Sequence, residues 1–287
     1  MLRLTIILCL FTLGVTLPSG SSAQSDPVIK VIYNNVVDDE DFERAGGFSC
    51  VVEGLEKTIL FDTGGNGTIL MKNMAKMGID PGSIDLVLLS HFHWDHTEGL
   101  DEFLKKNSKV IVFAPASFPD EWKTGLRRNK IRLVDVSGPM ILCEDVFTTG
   151  ERGSEIVEQS LLIKTTGGTI LITGCAHPGI VSIVEKAMDL TGKQVLLAMG
   201  GFHLRDHSEE ELGQVLQGFS DLGVVYCGAS HCTGDEQIAA IKDAYGERYV
   251  NTGVGSIIDV SKFEWRPSSG TESGEQADRE ENRDDTQ

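Results

Sequence analysis

Ser90-His91-Phe92-His93-Trp94-Asp95-His96 contains three of the seven histidines of the chain, and no histidine precedes it. It directly follows the apolar run Ile84 to Leu89, which predicts a buried strand. His91 and His93 are two residues apart in an extended segment and therefore project to the same side. Asp95 and His96 fall on the turn into the next predicted helix. Imidazole and carboxylate groups are ligands of zinc, iron and manganese. The stretch therefore predicts a metal site at the end of a strand.

The hydrophobic pattern of the rest of the chain predicts a layered α/β domain, because buried strands precede amphipathic helices throughout its second half. Two pairs, Ser208 with Glu211 and Thr233 with Glu236, have the spacing of helix capping boxes. Strands are predicted at Val28 to Val36, Cys50 to Glu53, Thr58 to Phe61, Ile84 to Leu89, Val110 to Phe113, Leu161 to Lys164, Thr169 to Ile172, Val195 to Ala198 and Val224 to Tyr226. Helices are predicted at Ile69 to Met77 and Leu100 to Lys106, around Ile180 to Met188, Leu212 to Phe219 and Ile238 to Tyr245.

Both ends of the chain are predicted to lie outside this domain. Residues 1–23 combine a basic start, an apolar run from Leu4 to Leu17 and the small residues Ser21-Ser22-Ala23. The run is shorter than the ~20 residues that span a bilayer, so it predicts a secretory signal peptide and an exported, periplasmic or secreted protein. Residues 267–287 are acidic and polar with almost nothing to bury, which predicts a disordered tail. The domain itself is predicted at 24–266.

Charge and cysteine content exclude some classes of protein. The formal net charge of −18 repels a phosphate backbone, so nucleic acid is not an expected partner. After signal removal no stable membrane insertion is expected. Five cysteines remain in the mature domain, an odd number that does not imply a disulfide framework. The expected partner is a small-molecule substrate, and the sequence leaves the oligomeric state open.

His91-x-His93-x-Asp95-His96, followed by Gly99-Leu100, resembles the signature of the metallo-β-lactamase superfamily, and Phe61-Asp62-Thr63-Gly64 resembles its first motif. The resemblance covers roughly residues 28 to 260 and implies a four-layer αββα sandwich with a metal site at one edge of the two sheets. Three further segments resemble the dihydropteroate synthase-like subgroup related to archaeal methanopterin biosynthesis. They are Thr173-Gly174-Cys175-Ala176-His177-Pro178-Gly179, Gly200-Gly201-Phe202-His203-Leu204 and Ser230-His231-Cys232-Thr233-Gly234.

The resemblance implies roles for individual residues and two divalent metal ions, with zinc favoured and iron or manganese as alternatives. His91 and His93 should hold the first metal, and Asp95, His96 and His231 the second. Asp62 should hold a ligand or the turn by hydrogen bonds.

The sequence departs from the superfamily pattern in its middle. The usual third motif has a histidine shortly before a strand, yet no histidine lies between 97 and 176. His177 is the predicted replacement, aimed by the bend at Gly174 and Pro178. Cys175 is either a thiolate ligand or a small buried residue, and Glu158 is the other residue close to the missing motif. His203, which ends a buried strand, is a candidate for substrate contact, with a more distant supporting role for this histidine as the alternative.

A two-metal site with an open position favours hydrolysis of an ester, lactone, amide or phosphoester by a metal-activated hydroxide. Asp95 would orient this hydroxide and pass a proton to the leaving group. The subgroup resemblance implies an alternative, a transferase joining a dihydropterin to a ribofuranosylaminobenzene phosphate. The signal peptide opposes that alternative, because such intermediates are cytoplasmic. A di-iron oxidoreductase is a further alternative.

Overall fold

The computed structural model describes residues 26–37 and 39–264, which form two stacked β-sheets covered by helices. The predicted signal peptide at 1–23 and the predicted tail at 267–287 lie outside the described residues. Within the described residues, no helix has both the length and the apolar character needed to cross a membrane.

The first sheet has seven strands and carries the histidine-rich stretch at its centre. Its strands are β1 (Val28–Asn34), β2 (Phe48–Glu53), β3 (Ile59–Phe61), β4 (Leu86–Leu88), β5 (Ile111–Pro115), β6 (Arg132–Val136) and β13 (Ile257–Asp259). Their order is β13-β1-β2-β3-β4-β5-β6. The strands from β3 to β6 are parallel, so their carboxyl ends meet at one edge of the sheet.

The second sheet has six strands, and the loops that carry the other histidines leave its parallel half. Its strands are β7 (Met140–Cys143), β8 (Val146–Thr148), β9 (Leu161–Lys164), β10 (Thr169–Thr173), β11 (Val195–Gly201) and β12 (Tyr226–Ser230). Their order is β12-β11-β10-β9-β8-β7. Strands β10, β11 and β12 run parallel, which brings the segments after Thr173, Gly201 and Ser230 together.

Helices cover the outer face of each sheet. They are α1 (Gly67–Lys76), α2 (Trp94–Thr97), α3 (Leu100–Lys106), α4 (Asp120–Arg128), α5 (Ile180–Thr191), α6 (Glu209–Asp221) and α7 (Asp235–Tyr245). Short 3₁₀ turns lie at Pro81–Ser83, His231–Thr233, Gly246–Arg248 and Val260–Lys262. The core consists of one apolar layer between the sheets and one under each set of helices. This is the expected four-layer αββα sandwich.

The structure corrects several predicted elements. The last strand of the second sheet covers Tyr226–Ser230 rather than Val224 to Tyr226, so it ends directly at His231. Ser208 and Glu211 form the predicted capping box. The second predicted box is wrong, because Gly234 caps α7 and the Thr233 hydroxyl donates instead to the Ser230 carbonyl. Helix α4 and the strands β6, β7, β8 and β13 are present in the structure but are not among the elements predicted from the sequence.

Candidate metal centre

Two groups of three donor side chains converge at the edge where the parallel strands of both sheets end. The ligand atoms within each group lie within 4.8 Å of one another. One group consists of His91, His93 and His177, and the other of Asp95, His96 and His231. The residues that the sequence predicted as metal ligands therefore meet in one place, although they come from loops after β4, β10 and β12.

Within the first group, ring nitrogens of three histidines converge on one another. His91 Nε2 and His93 Nδ1 are 3.0 Å apart. The ring centroid of His177 lies 4.6 Å from that of His91 and 5.0 Å from that of His93. Three imidazole nitrogens that converge in this way form the donor set of a catalytic zinc site.

Four of the histidines are held by an oxygen acceptor at Nδ1, which leaves Nε2 for the centre of the site. The partners are Ser90 Oγ for His91 at 2.9 Å, Asp62 Oδ2 for His96 at 2.7 Å, Glu158 Oε2 for His177 at 2.9 Å and Asn35 Oδ1 for His231 at 2.7 Å. Such contacts set the tautomer and the ring orientation of metal-binding histidines. His231 Nε2 is buried and has no hydrogen-bond partner among the described residues. An unpartnered buried nitrogen is costly, so the residues present fit a divalent metal.

Asp62 has the supporting position that the resemblance implied. Its Oδ1 accepts from the Ser90 backbone N–H at 2.7 Å, and its Oδ2 accepts from the Ser90 hydroxyl at 2.7 Å as well as from His96. Gly174 permits this packing, because a Cβ there would lie 2.1 Å from Ser90 Oγ and 3.0 Å from Asp62 Oδ2. Asp62 therefore orients His96 directly, and it orients His91 through the serine hydroxyl.

Glu158 is buried and acts as an acceptor for the loop after β10. Its Oε1 accepts from the backbone N–H groups of Gly174, Cys175 and Ala176 at 3.1, 2.9 and 2.9 Å. Its Oε2 accepts from the backbone N–H and the ring of His177. No donor group found in the described part of the chain includes Glu158. Glu158 thus holds this loop in place and supports His177.

Cys175 lies at the centre of the donor groups. Its Sγ is 3.4 Å from His96 Nε2, and it belongs to three groups of converging donors. Their members are His91, His96 and Cys175; Cys175, His177 and His203; and Cys175, His231 and Cys232. The five cysteines of the described residues are all free thiols. Cys232 was not predicted to have a role, although it directly follows His231 in the segment Ser230-His231-Cys232-Thr233-Gly234.

Burial and charge set the protonation of these groups. Burial lowers the pKa of His91 and of His231 well below the usual value, which favours the neutral, metal-binding imidazole. Burial also acts to lower the pKa of His96, but the adjacent Asp62 carboxylate, together with Asp95 and Glu158, raises that pKa above its usual value. Burial disfavours charge on Glu158, yet the bond from the His177 ring and the nearby His91 hold its pKa below the usual range.

Backbone conformation is unusual around the site. Positive φ angles occur at Asp62 (52°), Ala176 (58°), His203 (53°) and His231 (48°). These four are among six non-glycine residues with positive φ in the described part of the chain. Such conformations are unfavourable for most side chains and cluster where surrounding contacts impose them for function.

A cleft opens beside the donor groups. It encloses about 530 Å³ and is lined by His177, His203, Pro178, Phe202, Val215 and Gln214, among others. His203 is exposed, and its ring centroid lies 4.5 Å from that of His177. The cleft has the size and mixed lining of a small-molecule site. His203 lies at the boundary between this cleft and the cluster of candidate metal ligands.

Comparison with known proteins agrees with this geometry. The family model of the metallo-beta-lactamase superfamily matches residues 44–214. The 7,8-dihydropterin-6-methyl-4-(beta-D-ribofuranosyl)-aminobenzene-5'-phosphate synthase of Methanocaldococcus jannaschii is 29% identical over 261 residues, which cover 74% of this chain and 89% of the relative. An uncharacterised protein of the same organism, MJ0448, is 27% identical over 268 residues, covering 81% of this chain and all of the relative.

Solved structures show the same architecture. Tm1679, described as a metal-dependent hydrolase of the beta-lactamase superfamily, is 25% identical and superimposes with a TM-score of 0.67, covering 82% of this chain and 99% of that one. YhfI of Bacillus subtilis, at 12% identity and a TM-score of 0.60, shares the fold over 82% of this chain and 99% of its own. From its sequence motifs, its four-layer sandwich and the family match over more than half its length, the chain belongs to the metallo-beta-lactamase superfamily.

Proposed function

We propose that this protein is a hydrolase that binds two divalent metal ions, preferentially zinc, and cleaves an ester, lactone, amide or phosphoester in a small molecule. The observation that carries the proposal is the convergence of two three-donor groups at one sheet edge. Members of this superfamily typically bind divalent metals, and Tm1679, at 25% identity, is described as a metal-dependent hydrolase.

In this proposal His91, His93 and His177 hold the first metal, and Asp95, His96 and His231 hold the second. Bound divalent ions supply a water of lowered pKa and polarise a carbonyl or phosphoryl oxygen. The chain contributes the orientation of the ligands, because Ser90, Asp62, Glu158 and Asn35 each hold one imidazole at Nδ1. The two groups share an open side, since His93 and Asp95 are only half-buried whereas His91 and His96 are buried.

Asp95 is the proposed proton-transfer group. Its Oδ2 lies 3.5 Å from His231 Nε2 and 3.7 Å from His96 Nε2, and its side chain keeps 19% of its surface exposed. A carboxylate between the donors and solvent can orient a nucleophilic water and carry a proton to the leaving group. His203 borders the cleft beside His177 and is the proposed contact for the part of the substrate that does not react.

The test is metal analysis of the purified protein followed by a panel of esters, lactones, amides and phosphoesters on the same metal form. We expect two metals in these two groups, turnover of at least one substrate class and loss of turnover on chelation. Metal-loaded protein that hydrolyses none of these classes would contradict hydrolysis. Bound iron with visible colour would favour the di-iron oxidoreductase instead.

A second candidate is a transferase of the type named for the Methanocaldococcus jannaschii relative, whose 29% identity extends over 89% of that protein. It requires a cytoplasmic protein, because its pterin and phosphoribosyl substrates are cytoplasmic. Export of the protein therefore separates the two candidates. N-terminal sequencing of exported protein should find a start near Gln24, whereas a retained Met1 in cytoplasmic protein would favour the transferase.

A further inference from the structure

Two buried side-chain nitrogens have no hydrogen-bond partner among the described residues, His231 Nε2 and Arg152 Nε. The metal centre accounts for the first of them. Arg152 has no such explanation, because its guanidinium forms no ion pair or hydrogen bond within the described part of the chain. A permanent positive charge that is partly withdrawn from water and left without a partner is costly. It therefore indicates a ligand of opposite charge.

The charge of Arg152 is unpaired although carboxylates lie close to it in sequence. Glu151 Oε1 instead accepts from the Ser117 backbone N–H at 2.6 Å, and both oxygens of Glu158 accept from the loop after β10. Glu155 is exposed. With a formal net charge of −18, the chain has many acidic side chains that could serve as partners. The guanidinium is thus left available to a group from outside these residues.

Backbone pairing places Arg152 beside the metal centre. Its N–H donates to the Glu158 carbonyl at 2.9 Å, and the Glu158 N–H donates to the Arg152 carbonyl at 2.9 Å. Residues that exchange both bonds lie directly opposite each other, with Cα atoms about 5.5 Å apart and side chains on one face. The Glu158 side chain extends to His177 Nδ1, 2.9 Å away. The Arg152 side chain therefore leaves the ribbon on the face toward the first donor group.

The ribbon that carries Arg152 is fixed against both segments that supply this donor group. A Cβ at Gly153 would lie 3.4 Å from Pro178 Cγ, and Pro178 directly follows His177. On its other side, the Gln159 backbone N–H donates to the Ser90 carbonyl at 2.9 Å, at the start of the histidine-rich stretch. Arg152 is therefore held at the rim of the site rather than on a distant surface.

We propose that Arg152 binds an oxyanion, a phosphate or a carboxylate group, on the substrate that the metal centre cleaves. The inference rests on the proposed function and names its substrate class, a small molecule that carries a negative charge in addition to its scissile bond. A guanidinium is planar and donates two parallel hydrogen bonds to such a group. Arg152 is half-buried, so an anion can approach it from the open side of the site. A local cation also offsets the repulsion that an acidic protein exerts on an anionic substrate.

The experiment uses the full chain, loaded with zinc and freed of excess metal, and titrates it in a calorimeter with inorganic phosphate and with succinate. In Arg152→Met the affinity for at least one of these anions should fall about 10- to 100-fold, as expected for lost hydrogen bonds to a charged group. The anion with the larger loss identifies a phosphate or a carboxylate as the preferred group. Contacts of these anions with the metal ions are common to all variants.

Arg128→Met is the matched control, because Arg128 is an exposed arginine on α4 and the substitution changes the net charge equally. It should leave both affinities unchanged. Arg152→Gln is the second variant and should show the same loss of affinity, even if Arg152→Met fails to fold.

Urea unfolding without added anions separates a binding role from a structural one. Arg152→Met should not lower the free energy of unfolding, because it removes a polar group that has no partner in the folded chain. An arginine that only stabilised the fold would show the reverse pattern, with lower stability and unchanged affinity for both anions.

Equal affinities for phosphate and succinate in the wild type and in the folded Arg152 variants would overturn the proposal. Turnover on the substrate panel together with that result would leave the proposed function standing. Anion binding that depends on Arg152, in a metal-loaded protein that hydrolyses no member of the panel, would contradict the hydrolase and keep the anion site.

Discussion

One carboxylate oxygen of Glu158 accepts hydrogen bonds from both the backbone N–H and the Nδ1–H of His177, at 3.0 and 2.9 Å. Two bonds from one residue fix the position of the backbone and the tautomer of the ring together. A buried carboxylate just before β9 thus aims a histidine that lies in the loop after β10. Glu158 therefore positions His177, the proposed ligand of the first metal.

Glu158→Gln should weaken binding of the first metal. The glutamine amide keeps one acceptor oxygen, but its NH₂ group would face the N–H groups that the second carboxylate oxygen of Glu158 accepts from. The loop after β10 and the His177 ring would therefore lose their fixed orientation. Loss of such a supporting contact costs about 10–100-fold in metal affinity. Competition against a chromophoric chelator measures it. Glu155→Gln is the control, because Glu155 is an exposed carboxylate three positions away. Equal affinity in both variants would contradict this positioning role.

His177→Ala should lower the affinity of the first metal by at least ~10-fold, since it removes a ligand together with the group that Glu158 orients. Metal content after dialysis against the same chelator is the measurement. The second metal should stay bound, because Asp95, His96 and His231 are untouched. A variant that kept both metals at full affinity would show that His177 is not a ligand.

Asp95→Ala should abolish turnover and weaken the second metal, while one metal remains. The reason is that the variant loses the carboxylate that lies between His96 and His231. Metal analysis and the rate with the best substrate of the panel are measured on the same preparation. Full activity in Asp95→Ala would rule out the two-metal mechanism proposed here.

The stability of the metal-free protein should fall as the pH drops below about 6.5, the ordinary histidine pKa. Burial lowers the pKa of His231 in the folded state. Between the two pKa values the unfolded chain binds more protons than the folded one, so the free energy of unfolding decreases as the pH falls. His96 acts in the opposite direction, because its pKa is raised beside Asp62.

Comparison with His231→Asn isolates the contribution of His231, and asparagine tolerates the positive φ there. Urea unfolding at neutral and mildly acidic pH should show a smaller loss of stability in the variant than in the wild type. An equal loss of stability in the wild type and in His231→Asn would mean that burial of His231 does not determine the pH dependence below about pH 6.5.

Much of the candidate site could be predicted from the sequence because four of its side chains lie close together in one short segment. His91, His93, Asp95 and His96 follow one buried strand at spacings that determine which side each faces, and tertiary structure has little freedom to change this. The Ser208 and Glu211 capping box was readable for the same reason. The Thr233 and Glu236 pair had equal spacing and failed, because the Thr233 hydroxyl has closer partners in the Ser230 carbonyl and the loop of Phe202.

The sequence by itself predicted a layered α/β domain through hydrophobic periodicity and a cluster of candidate metal ligands through short-range spacing, and its resemblance to a known family implied the four-layer sandwich. Only the tertiary structure decided which distant groups complete the site. Asn35 orients His231 across 196 positions of sequence, and Glu158 reaches His177 across 19. Cys232 meets Cys175 only because β10, β11 and β12 run parallel and end at one edge. Such contacts depend on the order of the strands in the sheet and on hydrogen bonds between buried groups that are distant in sequence. Neither of these features produces a periodic pattern in the amino-acid sequence.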